Sequence, residues 1–165
     1  MTDLHVIKDR KKFQEDRIPH LREEFDLKQI VVEENTSDYR GVVSLSPIDF
    51  SAKCGHHQVS IHGKVYFAYV PHRYIIGLSQ IARIVEHFLN ITTEVIQEEA
   101  TKQIVDYFEQ KLAPSGVWVV VKAVHECMTA RGVRQRNCKT VTSEIRGTFW
   151  QQDLRDEVLG LWKLD

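Results

Sequence analysis

The chain has 165 residues, enough for one domain with a substantial buried core. Its formal net charge of -1 gives no bulk attraction for nucleic acid, and no apolar run approaches the length of a membrane span. Three cysteines, an odd and widely spaced set, do not make a disulfide framework, and Met1-Thr2-Asp3-Leu4-His5 lacks the basic-then-apolar plan of a signal peptide, so a reducing, cytoplasmic setting is expected.

The first stretch is polar and mixed in charge. Phe13, Ile18, Leu21 and Phe25 recur at near-helical spacing, interrupted by Pro19. This predicts a short N-terminal helical arm over residues 1–38, ahead of a main domain over 39–165. The cluster Lys8-Asp9-Arg10-Lys11-Lys12 reads as a solvated face of that arm. From Gly41 to Ala52 the residues alternate loosely, as in a half-buried strand, and Pro47 inside the run marks an edge position or a bulge. A tight Cys54-Gly55-His56-His57 turn follows. A second strand runs from Gln58 to Pro71, with a bend expected at His62-Gly63.

Ser79 suits the N-cap or first turn of a helix that carries Ile81, Ile84, Val85, Phe88 and Leu89 on one face and ends at Asn90. Thr92 or Thr93 is expected to open a second helix, with Glu94 in its first turn and an apolar stripe of Val95, Ile96, Ala100, Ile104, Phe108 and Leu112. Pro114-Ser115-Gly116 stops it. Val117 to Val121 is the most apolar stretch and should be a central strand leading to His125-Glu126-Cys127. A charged loop, a last strand over Thr140–Gly147 and a C-terminal helix from Gln152 complete the order. That helix is expected to turn Leu154, Val158, Leu161 and Trp162 inward. The expected fold is α+β: an antiparallel four-stranded sheet in ββααββ order with a helical pair on one face.

Two of the three cysteines sit beside histidines at strand ends. Cys54, an imidazole from the His-His pair and Cys127 make three ligands for a metal, with the fourth position left for water, as in a catalytic zinc site. The same residues also read as unrelated buried thiols and surface histidines. Cys138 matches no ligand position. Trp118, Trp150 and Trp162 are expected in the core or at a subunit interface.

Several motifs then fall in one order: Phe50-x-x-x-Cys54-x-His56-His57, Gly63-Lys64-Val65, Ala68-Tyr69-Val70-Pro71 and Gly77-Leu78-Ser79-x-Ile81-Ala82-Arg83. They continue with Gln97-Glu98-x-x-Thr101-x-Gln103, His125-x-Cys127-Met128-x-x-Arg131-Gly132 and Thr140-x-Thr142. Together they resemble GTP cyclohydrolase I, a zinc enzyme of the tunnelling fold, from about Phe50 to the end. The resemblance makes the main domain a catalytic one. It implies Zn2+ held by Cys54, His57 and Cys127, and His56 and His125 as proton-transfer groups. It further implies Gln97 and Glu98 at the guanine edge, Ser79 at the ribose and phosphate end, and Arg83 and Arg131 on the triphosphate. GTP is then the substrate, with 7,8-dihydroneopterin triphosphate and formate as products. The working form is then a homo-oligomer, a decamer in the family, with active sites between subunits. On residues alone, Glu98 belongs to a solvated helix face and the arginines to the surface; only the resemblance assigns them to substrate.

The chain departs from the family pattern at two site positions. Gly55 stands where the family usually has glutamate, and Gln80 where it has lysine. Two alternatives therefore stay open: a divergent tunnelling-fold hydrolase acting on a different guanine nucleotide, and a non-catalytic zinc-stabilised homologue.

Overall fold

The computed structural model describes residues 26–90, 94–130 and 132–163. Residues 1–25 of the expected helical arm, with the Lys8–Lys12 cluster, the helix start at Thr92 or Thr93, and Arg131 lie outside the described residues; over 26–38 the chain forms a 3-10 turn and a strand, not a helix.

A 3-10 turn, Leu27–Gln29, leads into β1 (Val32–Glu34). Asp26 caps the turn by accepting from Lys28 N at 2.9 Å. Ile30 is buried in the main core, and β1 pairs antiparallel with β4 (Tyr74–Ile76). The segment just before residue 38 is thus tied to the main fold by a small two-stranded ribbon.

The main sheet is built on β2 (Val43–Cys54), β3 (Ser60–Val70), β6 (Gly116–His125) and β7 (Thr140–Gly147). These four run antiparallel in the order β2-β3-β6-β7, as expected. The short β5 (Glu94–Val95) adds a fifth strand, pairing parallel with Lys53 and Cys54. β2 is continuous through Pro47, and its register against β3 shifts between Leu45 and Ile48, the irregularity that a residue without a backbone N–H requires. β3 runs unbroken through His62 and Gly63, in continuous register with β6, where a bend was expected. A Cβ at Gly63 would stand 2.1 Å from Lys122 O, so this glycine admits the neighbouring strand rather than bending its own.

Two helices cover one sheet face: α1 (Leu78–Phe88) and α2 (Gln97–Leu112). Ser79 lies in the first turn of α1, whose N-cap is Gly77. Ile81, Ile84 and Val85 of α1 and Ile104, Val105 and Phe108 of α2 pack on Val65, Phe67, Val119 and Val121. The Phe67 and Phe108 ring centroids are 4.3 Å apart. α2 starts later than its apolar stripe predicts. Val95 and Ile96 precede it, because Val95 O accepts from Gly55 N at 2.9 Å and commits that stretch to the sheet edge.

The short α3 (Glu126–Thr129) follows β6 directly. The C-terminal α4 (Gln152–Trp162) packs on the opposite sheet face, against Ala68, Val70 and Trp118, whose side chains alternate with those of the main core. Trp118 and Trp162 rings lie 4.6 Å apart, and Trp162 Nε1 donates to Ser44 Oγ at 2.8 Å. Val158 is fully buried, but Leu161 is 40% exposed and does not turn inward, and Trp150 stands 70% exposed on a 3-10 turn. Among the described residues, no helix is long and apolar enough to cross a membrane.

Candidate functional site

One end of the sheet collects the reactive side chains. Cys54 is the last residue of β2, and His57 lies in the loop that joins β2 to β3. That loop is closed by two bonds, Cys54 N to Val59 O and Gln58 N to Cys54 O, each 2.8 Å, with Gln58 in the left-handed region at φ 53°. The closure folds His57 back over Cys54. Cys127 comes from α3, two residues after the end of β6. Ile61 pairs with His125 across β3 and β6, which fixes how far β6 reaches towards the Cys54 loop.

The ligand atoms of Cys54, His57 and Cys127 all lie within 4.8 Å of one another. Cys54 Sγ is 3.9 Å from His57 Nδ1. A tetrahedral zinc with a thiolate at about 2.3 Å and an imidazole at about 2.05 Å sets those two atoms about 3.6 Å apart, so the donor set fits a zinc ion. Cys54 is buried, Cys127 half-buried and His57 exposed, so the group opens to solvent on the histidine side. Cys138 is exposed and outside this group.

His125, the last residue of β6, is half-buried. Burial pushes its imidazole below the ordinary histidine range, and the nearby Glu98 carboxylate pulls it partly back. His56 is exposed beside His57, their ring centroids 6.3 Å apart. Gln97 and Glu98 open α2 and point in different ways. Glu98 is exposed. Gln97 is only 2% exposed, and its carboxamide reaches His125 Nε2 at 2.6 Å. Ser79 and Arg83 stand exposed one turn apart on α1, on a separate element from the metal group. Gln80 is turned to the fold: its Oε1 accepts from Val31 N at 2.9 Å and holds the start of β1.

The GTP cyclohydrolase I family model matches residues 13–163. The chain belongs to the GTP cyclohydrolase I family. It is 43% identical over 126 residues to a GTP cyclohydrolase 1 of Parabacteroides distasonis, covering 76% of this chain and 63% of that protein. A GTP cyclohydrolase 1 of Sulfurihydrogenibium is 38% identical over 149 residues, covering 88% of this chain and 79% of the relative. The human GTP cyclohydrolase 1 is 42% identical over 125 residues, covering 75% of this chain and 49% of that protein. The chain thus spans less than two thirds of two of these relatives. A crystal structure of an archaeosine synthase QueF-like protein in the apo form aligns with a TM-score of 0.52 at 15% identity, over 64% of this chain and 93% of that one; it supports the tunnelling fold.

Two site-forming residues of this family member escaped the sequence reading. Thr101 and Thr142 appear in its motifs without a role, yet both bond to the Gln97 side of the site. The four-residue spacing of Gln97 and Thr101, one helical turn, was the available signal.

Proposed function

We propose that this chain is a zinc-dependent GTP cyclohydrolase I, converting GTP to 7,8-dihydroneopterin triphosphate and formate. The observation that carries this reading is the convergence of the Cys54, His57 and Cys127 donor atoms within 4.8 Å of one another, with His125 two residues before Cys127. Cys54, His57 and Cys127 would hold the zinc, which would supply a Lewis acid able to activate water near pH ~7 for attack at carbon 8 of guanine.

The chain's own residues supply the rest. His125 and His56 exchange protons with the ring nitrogens as the imidazole opens, work that an imidazole can do in either direction. Glu98, exposed at the start of α2, accepts from the guanine N1–H and 2-amino group, a donor pair adenine lacks. Arg83 and Arg131 hold the triphosphate through their planar donor forks, with Ser79 at the ribose end. Ser79 and Arg83 sit on α1, apart from the metal-binding loop, which fits active sites completed between subunits of a homo-oligomer.

The fate of Gln80 favours a second reading. Its side chain is spent on Val31 N, and it carries no charge for phosphate. A guanine nucleotide with fewer phosphates would suit such a site. The deciding experiment follows formate and the fluorescent oxidised pterin together, from GTP, GDP and GMP, with zinc-loaded protein. Equal formate and pterin from GTP support the cyclohydrolase reading. Turnover of GDP or GMP in preference supports the second. Zinc binding with no product from any nucleotide refutes both.

A further inference from the structure

Gln97 opens α2 with its side chain buried among main-chain groups. Its Nε2 lies 3.0 Å from Val121 O, 3.2 Å from Thr140 O and 3.2 Å from Thr142 Oγ1. Its Oε1 lies 2.6 Å from His125 Nε2. Backbone carbonyls only accept, so the end of the carboxamide that faces two of them must be the NH2 end. The amide orientation therefore follows from its neighbours. The oxygen end then faces the ring, and it has no proton to give. The proton in the 2.6 Å contact belongs to His125 Nε2. In the neutral ring, Nδ1 is left as the bare nitrogen.

The two threonines lock this arrangement. Thr101 Oγ1 is 2.7 Å from Gln97 O and 2.7 Å from Thr142 Oγ1. Thr101 donates to Gln97 O, so Thr142 donates to Thr101, and Gln97 Nε2 donates to Thr142. The three groups form a closed circuit with a single direction, which leaves the carboxamide no low-energy flipped state.

We infer that Gln97 acts on the reaction through His125 and not on the nucleotide: it holds the ring as the Nε2–H tautomer and presents Nδ1 as the proton-exchanging atom. This rests on the reading of His125 as a proton-transfer group given above. It also moves Gln97 from the guanine edge, where the family resemblance sets it, to the support of the imidazole.

The test has one arm independent of turnover. Magic-angle-spinning 15N spectra of zinc-loaded protein labelled at histidine, with His125→Gln to assign the signal, read the tautomer directly. The expected result is a protonated Nε2 and a bare Nδ1 on His125, giving way to mixed tautomers in Gln97→Met. The same variant is expected to lose at least about tenfold in kcat while zinc content holds and the GTP dissociation constant stays within about twofold. Where Gln97→Met does not fold, Thr142→Val removes a hydroxyl that bonds Gln97 and Thr101, and should likewise lower kcat while leaving GTP affinity in place. A protonated Nδ1 in the unmodified chain overturns the inference. So does a Gln97→Met chain that keeps kcat but binds GTP at least about tenfold more weakly. If the unmodified chain does not turn over GTP, the proposed function fails, and the tautomer arm still decides the role of Gln97.

Discussion

Gly63→Ala is expected to damage both the fold and the metal site. The new Cβ would stand 2.1 Å from Lys122 O and 2.7 Å from Ala123 Cα. A carbon and a carbonyl oxygen rest at about 3.3 Å, so β3 and β6 must part locally by about 1.2 Å. That opening breaks about two ladder bonds, at about 1 kcal/mol each, and adds an overpacking cost of about 1–3 kcal/mol. The stiffer unfolded chain returns about 0.4–1 kcal/mol. The net loss is about 2–5 kcal/mol, a large share of a typical 5–15 kcal/mol. Urea unfolding at matched chain concentration should show a lower midpoint with an unchanged slope. Gly63 pairs with Ala123 two positions before His125, so zinc affinity should fall as well. A stability loss below about 1 kcal/mol with zinc binding intact would refute the close-approach argument.

Other outcomes follow from single contacts. Cys127→Ser is expected to drop bound zinc from about one equivalent per chain to well below half, read by elemental analysis after dialysis. Gln80→Lys should cost about 1 kcal/mol of stability through loss of the Val31 clasp, while lowering the KM for GTP if the added cation reaches the triphosphate. An unchanged KM would mean that another group already serves there. Asp106 is held below the ordinary carboxylate range by Lys102 first, then by Arg146, against the opposing effect of burial. A depressed carboxyl stabilises the fold above its unfolded pKa of about 3.9 and ceases to do so as pH falls through its folded value. Asp106→Asn should thus lower Tm slightly at pH 7, by less than about 1 kcal/mol in stability, and the difference should close as pH falls through the carboxyl's depressed folded value.

The grouping of Cys54, His57 and Cys127 was legible because cysteine is scarce and both cysteines have a histidine at short range. The irregularity in β2 was legible at Pro47, because a missing N–H has only a few places to go in a sheet. Gln97 was harder to read. Gln97-Glu98-Glu99 is locally as polar as any solvated helix start, and only the docking of α2 against β6 and β7 buries its first residue. β1, β4 and β5 are two or three residues long and exist through pairing with distant partners, so no local periodicity announces them. Gly63 was read as a bend because glycine in a strand has two meanings, and the neighbouring carbonyl that distinguishes them belongs to another strand.

Cys54 and His57 are three residues apart in one closed loop, while Cys127 belongs to a segment that reaches them only when β3 lies between β2 and β6. An unfolded chain can therefore offer a metal two neighbouring donors but not the third. Zinc held by all three would join the ends of β2 and β6 across β3, a clasp that closes only after these strands have zipped. Release of the ion would then be an early reporter of fraying at this end, before the helix-covered core opens.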